Sequence, residues 1–254
     1  MGRLDGKVAL ITGAGKGIGE GCARVFAAEG AVVVIADIDA ENGARVAAAI
    51  GEGGGRAIYQ HTDVTRAASI REAIETTVTR EGHLDILLNN AGTHIPKGAE
   101  ALSEDEWDFL LTLNLKSAFL TTKYALPALR ASRGVIINMS SLVGLVGQAN
   151  SVAYCASKGG LIAMTKALAL DHAGDGIRVN CILPAGVRTP LLQHWLDQQP
   201  DPAATQREVD GWHPLGWTAS PEEIGRAALF LASADASFVT GVALPVDGGT
   251  SLGY

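Results

Sequence analysis

Val8-Ala-Leu-Ile-Thr12 runs straight into Gly13-Ala-Gly-Lys-Gly-Ile-Gly19. A short apolar run that stops at a turn signal reads as a buried strand. Helical periodicity follows from about Gly17 to Glu29. The glycines permit a tight turn and let backbone N–H groups approach a phosphate, and the helix N-terminus adds a favourable dipole. Between a strand and a helix, such a loop points to a dinucleotide site. Its candidate contacts are Gly13, Lys16, Gly17, Ile18 and Gly19.

Asp37 closes the next apolar run, eighteen residues beyond Gly19. A carboxylate there can accept hydrogen bonds from an adenosine ribose, and it would repel a 2′-phosphate. Lys16 points the other way, since a cation in the loop can pair with a phosphate. The carboxylate outweighs it, because like charges in contact at a partly desolvated site are costly, and the reading is NAD rather than NADP. Asp63 and Val64, after a third run, are placed to meet the adenine edge, and Asn90, Ala91 and Gly92 of Asn89-Asn-Ala-Gly92 to line a crevice. All lie where strands end, which is where open α/β sheets bind ligands.

Strand patterns at 31–36, 57–60, 84–89, 135–139, 177–182 and 242–246 alternate with helical ones at 40–50, 66–81, 152–173 and 222–233. Another helix starts at Ser103, with Glu106 as its capping-box partner, and runs to about Arg130, with Pro127 expected to bend or fray its end. This alternation implies an α/β fold, a parallel sheet with helices on both faces, and one domain over residues 1–254. Residues 190–218 break the rhythm, with four prolines, three tryptophans and two histidines. They read as an irregular functional lid.

The chain of 254 residues is 47% hydrophobic with a net charge of −7, a balance that argues against a nucleic-acid surface. Cys22, Cys155 and Cys181 match neither a disulfide framework nor a zinc site, and no metal constellation is visible. The opening residues lack the apolar core of a signal peptide, and no apolar stretch is long enough to span a bilayer. A soluble, cytoplasmic protein with reduced thiols is the expectation.

Tyr154 and Lys158 stand four apart, with Ser141 thirteen positions before the tyrosine. Four residues is about one helical turn, so phenol and ammonium share a face. A cation beside a tyrosine favours the phenolate and lowers its pKa, producing a general base near neutral pH.

With these residues in place, the chain resembles the short-chain dehydrogenase/reductase family. The likeness rests on TGAGKGIG at 12–19, NNAG at 89–92, Asn114, Ser141, Tyr154 and Lys158, and VTG…VDGG at 239–249. It implies a Rossmann-type, doubly wound sheet of seven parallel strands. It also implies that Tyr154 is the acid/base, that Ser141 orients the reacting oxygen and that Lys158 lowers the Tyr154 pKa and binds the nicotinamide ribose. Asn114 would hold a relay water, with cofactor contacts from Pro184, Val187 and Thr189. Where the family usually has Pro-Gly, this chain has Pro184-Ala185, a methyl added beside the nicotinamide. Homotetramers are common in the family.

A narrower likeness, through NNAGTHIP at 89–96, SSLVGLVGQAN at 140–150 and PDPAAT at 200–205, is to a subgroup containing L-fucose dehydrogenases and the type-14 hydroxysteroid dehydrogenase. His94, Gln148, Asn150 and Trp195, with His194, Trp212 and His213 beside them, are the substrate candidates. Trp217 reads as lid packing on the core. Histidine and amides beside tryptophan suit a sugar, which needs hydrogen bonds and a stacking face; a steroid would want a mostly apolar pocket. A sugar dehydrogenase is therefore expected, with a steroid or other apolar secondary alcohol as the alternative. A non-catalytic NAD-binding regulator is disfavoured by the presence of both Tyr154 and Lys158. The terminal Tyr254 is expected to approach a neighbouring subunit's pocket.

Overall fold

A computed structural model describes residues 2–252. Seven parallel strands, β1 (Val8–Thr12), β2 (Val32–Asp37), β3 (Arg56–His61), β4 (Ile86–Asn89), β5 (Val135–Met139), β6 (Arg178–Pro184) and β7 (Ala243–Val246), form one sheet in the order β3-β2-β1-β4-β5-β6-β7. Side chains alternate across a strand, and here both faces are covered. Ala9, Ile11, Val33 and Ile35 pack with Phe26 and Ile224 on one side. Val8, Leu10, Val34 and Ala36 pack with Ile70, Ile74 and Leu129 on the other. The helices are α1 (Gly17–Ala28), α2 (Ala40–Glu52), α3 (Ala67–Glu81), α4 (Glu104–Leu111), α5 (Ser117–Ser132), α6 (Val143–Val146), α7 (Val152–His172), α8 (Pro190–Asp197), α9 (Pro202–Gly211) and α10 (Pro221–Ala232); α1, α2 and α10 cover the first face and α3, α5 and α7 the second. Strand order reverses between β1 and β4, which opens a crevice at their carboxyl ends.

The long helix expected from Ser103 to Arg130 is present and widens in its middle. Ser103 and Glu106 form the capping box, and a π-helical turn, Thr112–Lys116, joins α4 to α5. Single π turns inside helices frequently mark functional positions, and this one carries Asn114. Pro127 sits inside α5 without ending it; the helix continues to Ser132.

Residues 190–218 are also more regular than their prolines suggest. Pro190 and Pro202 each occupy the first turn of a helix, capped by the Thr189 and Asp201 side chains. Proline is favoured there because its missing N–H has no intrahelical partner to lose. Two close approaches at α7 are made within the chain, while Ala156 and Ala163 are exposed. A Cβ on Gly160 would fall 2.8 Å from Leu115, and one on Gly144 would fall 2.8 Å from the Lys158 backbone.

Candidate active site

The β1–α1 turn is built around backbone approach. Gly13 has φ of +65°, a conformation costly for any other residue, and a Cβ on Gly19 would land on the Gly13 carbonyl. Asp37, 8% exposed at the end of β2, reaches back under this loop. Its Oδ2 accepts the Gly15 N–H at 2.7 Å and its Oδ1 the Asp39 N–H at 2.9 Å. Arg45 holds the other side, donating to the Gly15 carbonyl at 3.0 Å and pairing with Glu20 at 2.8 Å. Its place one turn into α2 gave no sequence signal, because the contact depends on how α2 folds over the loop. Lys16 is exposed at the rim.

The next strand end is tied to the same loop. Asn90 donates through Nδ2 to the Thr12 and Gly13 carbonyls at 3.0 and 2.9 Å, and Thr12 Oγ1 accepts the N–H groups of Asn90 and Ala91 at 3.0 and 3.1 Å. Asp63 accepts from Thr65 N and Oγ1, an Asx-type turn.

Gly13, Lys16, Asp37, Asp63, Asn90 and Ala91, but not Gly19, line one cleft of about 420 Å³, which also takes in Gly17, Ile18, Val64, Gly92, Tyr154, Lys158 and Thr189. Ile38, Phe109 and Leu191, which the sequence did not single out, complete its apolar walls. Pro184 and Val187 are not among the lining residues. The Pro184 carbonyl accepts the Leu142 N–H at 2.9 Å, and buried Val187 makes a bridge to Ala219.

At the far end, α7 presents Tyr154 and Lys158 on one face. Lys158 is 4% exposed; its Nζ donates to the Met139 carbonyl at 2.8 Å and lies 5.6 Å from the Tyr154 ring centroid. Burial pushes the Tyr154 phenol above its ordinary value, and a hydrogen bond with Ser141 pulls it partway back. Burial likewise pushes the Lys158 ammonium down to about 8. The phenol pKa therefore moves opposite to the expected direction. Loss of water is the largest influence on the phenol, while the Lys158 ammonium keeps its charge in its bond to the main-chain carbonyl.

Asn114, 1% exposed, is pinned by its π turn. Its Oδ1 accepts the Thr93 N–H at 2.9 Å, and its Nδ2 donates to the Thr93 carbonyl at 2.9 Å and to Ser157 Oγ at 3.2 Å. A Cβ on Gly92 would stand 2.9 Å from Asn114 Oδ1 and 3.4 Å from Lys158 Nζ, so glycine keeps open the gap between them.

Among the substrate candidates, His94 meets Tyr154: their rings are 4.6 Å apart, and His94 Nε2 lies 2.9 Å from Ser151 Oγ. Burial lowers the His94 pKa, which keeps the ring neutral at physiological pH. Gln148 and Asn150 are exposed, Trp195 is half-buried, and none of the three lines the cleft. His194, also exposed, pairs with Gln198. One aromatic reading is corrected. Trp217 is 46% exposed, with its indole N–H on Glu223, and does not pack on the core; Trp212 is similarly open. In α9, Val209 is the buried residue of the inner face. His213 is buried and faces Gly186 rather than the cleft. Tyr254 lies outside the described residues. Among the described residues no helix is long and apolar enough to cross a membrane, and no group of three or more His, Cys, Asp or Glu is placed to hold a metal ion.

A family model described as enoyl-(acyl carrier protein) reductase matches residues 13–251. The L-fucose dehydrogenase of Bos taurus is 46% identical over 99% of this chain and 92% of its own length. The meso-2,3-butanediol dehydrogenase of Serratia marcescens is 39% identical over 98% and 96%. A solved short-chain dehydrogenase/reductase structure from Burkholderia xenovorans superposes with a TM-score of 0.95 at 37% identity, covering 100% of both chains. With likeness of this depth over nearly its whole length, the chain belongs to the short-chain dehydrogenase/reductase family of oxidoreductases, which act on small molecules with a nicotinamide dinucleotide.

Proposed function

We propose that the protein is an NAD-dependent sugar dehydrogenase that oxidises the anomeric hydroxyl of an L-fucose-like aldose to the lactone. The polar cluster at Tyr154 carries the substrate class. His94 meets the phenol ring at a tilt of 41°, Ser151 holds His94, and Ser141 is near enough to lower the phenol pKa. Hydrogen-bonding groups thus surround the acid/base, which suits a polyhydroxylated substrate better than a steroid. The name of the Bos taurus relative points the same way.

The residues present fit a dinucleotide. The cleft has backbone N–H groups at a helix N-terminus, a glycine position with no room for a Cβ, and a carboxylate at the end of β2. Gly13, Lys16, Gly17, Ile18 and Gly19 would hold the pyrophosphate, Asp37 the adenosine ribose, and Asp63 and Val64 the adenine. Asn90, Ala91, Gly92 and Thr189, with backbone groups of Pro184 and Val187, would serve the nicotinamide half. Bound NAD supplies the hydride acceptor. Tyr154 takes the hydroxyl proton, Ser141 holds the reacting oxygen, Lys158 holds the nicotinamide ribose and supports the phenolate, and Asn114 keeps the β4 loop in place behind it. Gln148, Asn150 and Trp195 would reach the substrate by movement of the 190–218 lid and the 147–150 loop. The whole chain acts as one domain. The reading also makes the protein a cytoplasmic homotetramer. Phe119 and Phe238 are large apolar side chains left exposed on single subunits, and light scattering should give four chains per particle.

An NADH-release screen over aldoses, vicinal diols and steroids tests the substrate class. L-Fucose or a close aldose should exceed any steroid in kcat/KM by about 100-fold or more. Turnover confined to apolar alcohols would overturn it.

The Tyr154–Lys158 pair also predicts a pH profile. At low pH both groups keep their protons and no base exists. The first proton leaves the pair at about 8, set by buried Lys158, and the one-proton pair includes the phenolate–ammonium form. Oxidative kcat/KM should therefore rise about tenfold per pH unit below that value and level off above it. Initial rates across the range check this; a flat profile would contradict it.

A further inference from the structure

His213 lies behind the cleft wall, 3% exposed, under the segment that leaves β6. Its Nε2 accepts the Gly186 N–H at 3.1 Å. The ring proton is then on Nδ1, which donates to the Val209 carbonyl in α9 at 2.9 Å. A neutral imidazole with one proton satisfies both partners. The ring also occupies the space beside Gly186, where a Cβ would stand 2.8 Å from Cε1, and beside Gly248, where one would stand 3.1 Å from the His213 Cβ. One side chain thus joins α9, the 185–189 segment and the loop after β7.

That segment enters the cleft at Thr189. Asp37 on β2 marks one side of the switch point, and β6 lies on the other. Thr189 shares the cleft with Tyr154 and Lys158, and a Cβ on Gly17 would stand 3.3 Å from Thr189 Cγ2. Other ties come from residue 219: Ala219 N–H bonds Gly186 O at 3.2 Å, and Arg188 N–H bonds Ala219 O at 2.8 Å. The Gly186 N–H is left to His213. The family's usual Pro-Gly is Pro184-Ala185 here, and the position that cannot accept a side chain is Gly186, because the imidazole fills it.

We infer that His213 is a positioning residue for the nicotinamide half of the dinucleotide. Its imidazole fixes Gly186, and through it Val187–Thr189, in register with the lid helix α9. The inference rests on the dinucleotide reading above, and the test separates the two. NADH and ADP-ribose, which lacks the nicotinamide, are titrated by calorimetry into wild type, His213→Leu and His213→Gln.

Wild type should bind NADH more tightly than ADP-ribose. In His213→Leu, NADH binding should weaken about tenfold, the scale of one lost buried hydrogen bond, while ADP-ribose changes less than about twofold. In His213→Gln, a side-chain carbonyl can again accept the Gly186 N–H, and most of the NADH affinity should return. If His213→Leu does not fold, two measurements remain. Gly186→Ala, which displaces the ring without removing it, should show the same selective loss. NMR of 15N-histidine-labelled wild type should show the Nδ1–H tautomer at this residue. Equal weakening of both ligands, no weakening of either, or an Nε2–H tautomer would overturn the inference. Wild type that bound neither ligand, or bound both alike, would overturn the dinucleotide reading and this inference with it.

Discussion

Tyr154→Phe should lower kcat by about 10²–10⁴-fold, the usual contribution of a positioned acid/base, with NADH affinity within about twofold of wild type. The substitution removes one oxygen. The ring that meets His94 at 4.6 Å remains, and so does its place on α7. What goes is the hydroxyl on which Ser141 acts, and no packing contact of the ring is lost. The fold and the dinucleotide cleft should therefore survive. This separates an enzyme from a dinucleotide-binding regulator: a regulator would keep both its binding and whatever low turnover it had. Stopped-flow turnover and NADH fluorescence titration on the same preparation provide the comparison. Turnover within about tenfold of wild type would remove Tyr154 from the chemistry.

Wild type should prefer NAD over NADP by about 10³ in kcat/KM, and Asp37→Asn should reduce the ratio to within about tenfold. Two like charges about 4 Å apart at a partly desolvated surface repel by about 4 kcal/mol, roughly three powers of ten. The Asp37 carboxylate is held in place for this by the Gly15 and Asp39 N–H groups. Asparagine removes the charge and keeps a carbonyl that can accept from Gly15, so the loop should hold its shape. Arg45 offers a 2′-phosphate little, since Glu20 already pairs with it. In the variant, exposed Lys16 becomes the cation at that rim. Equal use of both cofactors by wild type would contradict the role given to Asp37.

The segments most legible in the sequence were those whose pattern is local. The apolar β-branched runs at 8–12 and 135–139 are strands at those bounds, because two covered faces leave no polar side to the strand. Ser103 and Glu106 begin a helix because their reciprocal bonds span only three residues. Pro190 and Pro202 misled the reading of the lid. Proline ends one helix and starts another, and only the caps at Thr189 and Asp201 distinguish the two uses. The π turn at Thr112–Lys116 left no local trace, because it is held from outside by Thr93 and Ser157 on Asn114.

The glycine-rich turn, the Asp37 position and the one-turn spacing of Tyr154 and Lys158 could be read from the sequence alone, since each depends on backbone geometry over a few residues. Tertiary structure decided what burial and distant neighbours control. It set the directions in which the Tyr154 and Lys158 pKa values move, the gap that Gly92 keeps between Asn114 and Lys158, and the turning of His213 from the cleft onto Gly186. Desolvation and side-chain contact depend on which segments the sheet brings together, and the residues that meet at this site lie as far apart as Thr12 and Asn90, or His94 and Ser151.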